Sequence, residues 1–129
     1  MPESKQPCRY GLRRSIILRK RQDFDLVRRS GKRINSHFLG CNYFLKTDFS
    51  VDKYGKRSVA FIIPKACGNA VKRNKIRRRM REIYRHLQHD LPESLWSVWI
   101  ARRASADATF VDLRNEMILI YKKAGMLES

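Results

Sequence analysis

Phosphate binding is the chemistry this sequence concentrates, and it does so in one stretch. Residues 65–85 carry nine Lys and Arg against one acid, Glu82. From Asn69 to Gln88 the chain reads NAVKRNKIRRRMREIYRHLQ. Arg outnumbers Lys there, and the planar guanidinium fork suits two-pronged contact with phosphate. Arg77, Arg81 and Arg85 stand four residues apart, where like charges on a helix repel. Such a run makes physical sense when phosphates take the place of water around it. A merely solubilising surface would mix the two signs.

The side chains that would break bonds do not assemble. Asp23-x-Asp25 is the one close pair of acids near the N-terminus, and residues two apart on a helix do not share a face. Two-metal nucleases need several converging carboxylates. His86-x-x-His89 with Asp90 has no Cys or His nearby to complete four zinc ligands, so a solvated helix end is expected. No Gly-rich phosphate loop and no Ser-His-Asp or Cys-His spacing stands out. Hence no catalytic residue and no metal ligand is assigned. Cys8, Cys41 and Cys67 are odd in number and widely spaced, which reads as free thiols in a reducing compartment.

The elements that must position the basic run follow from periodicity. The 129 residues carry 29 Lys and Arg against 12 Asp and Glu, net +17. The length suits one domain, and the charge excludes an acidic calcium binder and disfavours a generic metabolic enzyme. Residues 1–17 read as a basic, disordered tail, and 18–125 as a single RNA-binding domain. A short helix is expected from Arg21 to Arg29, with Phe24, Val27 and Arg28 on one side. In Phe38–Leu45, Leu39, Cys41, Tyr43 and Leu45 alternate with Phe38, Gly40, Asn42 and Phe44, a strand covered on both faces. Residues 32–37 offer a short strand before it, and Thr47–Lys56 a polar connection. Ser58–Ile63 and Trp96–Ala101 are further strands.

On a helical wheel, Ile76, Met80, Ile83 and Leu87 of the basic run share a narrow arc, with Tyr84 at its edge. That arc must cover the sheet, so it is not free to insert into a membrane. Arg73 falls on its margin, where it must snorkel out or bind something at the seam. Asn74, Arg77, Arg78, Arg81 and Arg85 fill the opposite side, and Lys72, Lys75 and Arg79 the far flank. A final helix starts at Thr109, where Asp112 completes a capping box, with Phe110, Leu113, Met117 and Ile120 as its apolar stripe. The expected fold is α+β: helices packed on a small sheet, in the order α-β-β-(β)-α-β-α. Phe24, Phe38, Tyr43 and Phe44 are candidates for stacking single-stranded bases beside the basic helix, with core packing the alternative for each.

The stretch Pro64–Arg81, PKACGNAVKRNKIRRRMR, resembles the signature of the bacterial ribonuclease P protein family. The match lies in the Gly68-Asn69-Ala70-Val71 entry, the Arg73-Asn74 start, the Arg77-Arg78 pair and Arg81. Leu18-Arg19-Lys20 with Asp23-Phe24, and Ile100-Ala101-Arg102, extend it over about residues 18–125. The resemblance implies an α-β sandwich with a left-handed β-α-β crossover, similar to a ribosomal protein fold. It implies that the protein binds a catalytic RNA subunit, and that the pair cleaves the 5′ leader from precursor tRNA. It implies magnesium ions held by the RNA and an active site in the RNA. The apolar runs are too short for a signal-peptide core or a membrane span, so a cytoplasmic protein with no membrane partner is expected, monomeric when free. Carried over by position, Arg73, Asn74, Arg77, Arg78 and Arg81 face RNA, with Lys65 and Lys72 flanking them; Lys75 and Arg85 of the basic helix complete the expected RNA-binding set. Phe24 and Arg28, with Tyr43 or Phe44, line a leader cleft between the basic helix and the sheet. The sequence departs from the family at Ala66, where a second lysine is common, and at Arg28, where a second aromatic is common. A structural RNA-binding protein without a processing role, and a protein-only nuclease, are the competing readings.

Overall fold

The computed structural model describes residues 21–45, 57–92 and 94–127. The expected tail over 1–17 and the connection over 47–56 lie outside these residues. In chain order the elements are α1 (Arg21–Ser30), β1 (Lys32–Asn35), β2 (Leu39–Leu45), β3 (Ser58–Ile62), α2 (Ala70–Leu87), β4 (Leu95–Ala101) and α3 (Phe110–Lys123). The optional short strand exists, and the three helices and longer strands fall where periodicity put them. The fold is α+β with one four-stranded mixed sheet.

The strands are ordered β1-β2-β4-β3. β2 pairs antiparallel with β1 and β4, while β3 runs parallel to β4, so α2 is the crossover between adjacent parallel strands. Alternation along β2 and β4 divides their side chains between the two faces. Leu39 and Cys41 of β2 and Leu95, Trp99 and Ala101 of β4 join the main core with Ile76, Met80, Ile83 and Tyr84 of α2 and Leu113, Met117, Ile120 and Tyr121 of α3. The other face carries a smaller cluster of Val27, Ala60, Trp96 and Val98, with Phe24, Leu26, Phe44 and Ile100 against it. Thus α1 lies on one side of the sheet and α2 and α3 on the other. One residue of the expected α3 stripe differs: Phe110, the first helical residue, stays 36% exposed, and Tyr121 completes the buried stripe instead.

Polar contacts pin these layers in register. The Glu116 carboxylate on α3 accepts from the backbone N–H groups of Phe38 and Leu39 at 2.5 and 3.2 Å, fixing the start of β2. Glu116→Ala removes two charge-assisted bonds and should cost about 2 kcal/mol of stability. Urea unfolding measures it, and a cost near zero would show that β2 is positioned by packing alone. At the N-terminus of α3, the Thr109–Asp112 capping box forms in both directions. Cys41 and Cys67 are buried free thiols, and burial pushes the Cys41 thiol up. Both should resist alkylation until the chain unfolds, which peptide mass analysis reads directly.

Candidate nucleic-acid interface

The basic helix is launched by a tight turn. Lys65–Cys67 form a 3₁₀ turn whose Cys67 is buried, and Gly68 follows at φ 126°, a conformation that excludes most side chains. Asn69 then caps α2 by accepting from the Lys72 N–H at 2.9 Å. Arg73, at the margin of the apolar arc, is half-buried and donates through Nε to the Gly68 carbonyl at 3.2 Å. The seam arginine therefore braces the turn that starts its own helix.

The other arginines divide by whether the protein already holds them. Arg79 donates to the Ala108 carbonyl at 3.1 Å, tying α2 to the entry of α3. Arg77 donates to Asn74 Oδ1 at 3.1 Å. Arg85 engages Glu82 through both Nε and Nη2, and His86 Nε2 lies 3.0 Å from the same carboxylate. Hydrogen bonding from Arg85, opposed by slight burial and aided by His86, holds the Glu82 carboxyl below its usual range. Lys65, Lys72, Lys75, Arg78 and Arg81 are exposed, and no side-chain partner is seen for them among the described residues. These five are the cations best able to take new anionic partners.

The set carried over from the family resemblance is spread over two flanks of α2. Asn74, Arg77, Arg78, Arg81, Glu82 and Arg85 line one open groove. Tyr84, on that flank's inner margin, meets Phe61 of β3 edge-on at 6.1 Å, so this groove overhangs the outer edge of the sheet. On the opposite flank, Lys72, Lys75 and Arg79 face the Ser105–Thr109 turn. Lys65 stands apart on the turn before the helix.

Two expectations about the leader cleft are corrected, and the choice between Tyr43 and Phe44 is resolved by face. The seam between α2 and the sheet is no cleft, because Ile76, Met80, Ile83 and Tyr84 fill it. Phe24, a residue of α1, packs on the opposite face of the sheet. Tyr43 and Phe44 do not share a face: Tyr43 packs against the main core, while Phe44 joins the α1 side and meets Trp96 edge-on at 6.4 Å. Strand alternation already separated these two residues, and that signal outranks any alignment across Gly40. Arg28 pairs with Asp25 at 2.8 Å, its side chain 70% exposed. Phe24 and Phe44 are thus the pair that the fold brings together.

Beyond α1 this face of the sheet stays partly open. Gly40, Ile100 and Ile62 are neighbours in one row across β2, β4 and β3, and Ile62 is 40% exposed. Sequence reasoning missed this row because it depends on strand order. Among the described residues, no three His, Cys, Asp or Glu side chains are grouped to hold a metal ion, and no helix is long and apolar enough to cross a membrane.

Comparison with known proteins bears on the whole arrangement. The Ribonuclease P family model matches residues 12–125. The ribonuclease P protein component of a Clostridium botulinum strain is 32% identical over 110 residues, covering 84% of this chain and 94% of that protein. The ribonuclease P protein of Staphylococcus aureus superposes with a TM-score of 0.77 at 21% identity, over 88% of this chain and 98% of that one. That of Thermotoga maritima gives 0.69 at 23% identity, over 82% and 94%. At these identities the two structures speak to the fold.

Proposed function

The chain belongs to the ribonuclease P protein family, and from that premise we propose that it binds the catalytic RNA through α2 and the 5′ leader of precursor tRNA on the α1 face of the sheet. As a ribonuclease P protein component it is part of a ribonuclease holoenzyme. The observation that carries the RNA-binding reading is that Arg78 and Arg81 are exposed with no side-chain partner among the described residues, in a groove they share with Arg77 and Arg85. Unpaired guanidinium groups on a rigid helix release counterions and gain charge-assisted bonds when phosphates arrive, at little ordering cost. Arg77, Arg85 and Asn74 extend this rail, and Lys65, Lys72 and Lys75 broaden its field.

Arg73 supports the rail by holding the Gly68 turn. In this reading the chain supplies binding and orientation, and the bond-breaking site with its magnesium ions belongs to the RNA subunit. The protein acts as a monomer in the cytoplasm, with the RNA subunit and precursor tRNA as partners.

The decisive experiment mixes the full chain with a bacterial ribonuclease P RNA and precursor tRNA at low magnesium. Stimulated cleavage at the mature 5′ end is the expected result. Binding without stimulation would point to a purely structural RNA-binding protein. Cleavage without added RNA would place the active site in the protein.

The leader reading has its own check. Phe24 is only half-buried, packed against the same small cluster as Phe44. Phe24→Ala should weaken binding of leader-bearing substrate about tenfold more than it weakens binding of the RNA subunit, from the usual worth of one base–aromatic stack. Equal losses on both would assign Phe24 to packing α1 onto the sheet.

A further inference from the structure

One cation on the open sheet face stands apart from the basic helix. Arg33 lies on edge strand β1, exposed and directly across from Asn42. Its Nε donates to Asn35 Oδ1 at 2.8 Å. Both side chains lie across Gly40 of β2: a Cβ there would stand 2.6 Å from Asn35 Oδ1 and 3.0 Å from Arg33 Nη2. Glycine at 40 is thus what lets the pair rest on the strand. The Nη groups of Arg33 have no hydrogen-bond partner among the described residues.

The register places this guanidinium in a particular setting. Asn35, Gly40, Ile100 and Ile62 form one row across all four strands, on the face that also carries Phe24 and Phe44. Beyond Gly40 the row is apolar, and it is partly open at Ile100 and Ile62. An ordered guanidinium beside an apolar floor suits a nucleotide whose base lies on the floor and whose phosphate or base edge meets the Nη groups. Duplex RNA fits this site poorly, because its base edges are recessed, whereas single-stranded bases can splay onto a sheet. Asn35 fixes Arg33 before binding, so less side-chain freedom is lost on contact.

We propose that Arg33, held across Gly40 by Asn35, is a specificity-determining contact for the single-stranded 5′ leader. This rests on the leader reading above and adds a recognition residue to it.

The test uses holoenzyme reconstituted from the full chain and its RNA subunit. Affinity is measured for precursor tRNA and for the same tRNA without a leader. Arg33→Ala should lower precursor affinity about tenfold, the usual worth of a charge-assisted contact, and leave leaderless tRNA and RNA-subunit binding unchanged. Arg33→Lys should recover little, because a lysine keeps the charge but lacks the planar fork. Asn35→Ala should give a smaller loss in the same direction.

Unchanged precursor affinity in Arg33→Ala would overturn the proposal, as would full recovery in Arg33→Lys or equal losses on leaderless tRNA. Those outcomes leave the leader reading intact if wild-type holoenzyme still prefers precursor over leaderless tRNA. A wild type without that preference overturns the leader reading, and this contact with it.

Discussion

Replacing Arg78 and Arg81 together by alanine should weaken binding to the RNA subunit by about 2 kcal/mol, or about thirtyfold, while leaving the fold intact. Both side chains are exposed and have no hydrogen-bond or ion-pair partner among the described residues. Their loss should shift folding stability by no more than about 0.5 kcal/mol. The same variant should flatten the dependence of log affinity on log salt by about 1.5, the amount expected for two lost phosphate contacts. Titration of labelled RNA at several salt concentrations reads both quantities. An unchanged slope would mean that these arginines face water in the complex too. Arg73→Ala and Arg79→Ala provide the contrast. These side chains already hold the Gly68 and Ala108 carbonyls, so their removal should lower stability before it alters the slope.

Tyr121→Phe should be among the most destabilising single-atom changes in the main core, at about 3 kcal/mol. The Tyr121 hydroxyl accepts from Trp99 Nε1 at 2.9 Å and lies 2.9 Å from Ser97 Oγ. Indole N–H can only donate, so the phenol oxygen must be its acceptor, and the phenol hydrogen is then available to Ser97. All three residues are fully buried. Deleting one oxygen leaves two groups from adjacent rows of β4 without partners in a dry interior. Tyr84→Phe is the matched control. Its hydroxyl is equally buried and has no hydrogen-bond partner among the described residues, so its removal should be neutral or slightly stabilising. Urea unfolding with an unchanged slope compares the two variants, and similar costs would refute the network argument.

Much of this architecture was legible in the residues. The apolar arc Ile76, Met80, Ile83 on α2 is buried as its spacing required, and the Thr109–Asp112 box caps α3 as its pattern required. Both are signals that a helix carries within two turns of itself. The candidate site was legible only as a roster. Wheel angles placed Arg73, Arg77, Arg78, Arg79 and Arg81 around the helix. They did not say that Arg73 and Arg79 would be taken up by backbone carbonyls of neighbouring turns. Those acceptors belong to the bends at Gly68 and Ala108, whose positions depend on how the crossover and α3 dock.

The division has a physical basis. Helix and strand periods, caps and charge density arise from neighbours along the chain, and the sequence by itself determined those: an α+β chain with its positive charge concentrated on one helix. Strand order and the choice of sheet face arise from contacts between residues far apart in the chain. Only the tertiary structure decided that β4 inserts between β2 and β3, and that α1 covers the face opposite α2. That placement closed the supposed cleft under the basic helix, put Phe44 rather than Tyr43 on the α1 face, and laid Arg33 over Gly40 in the row that holds Ile100.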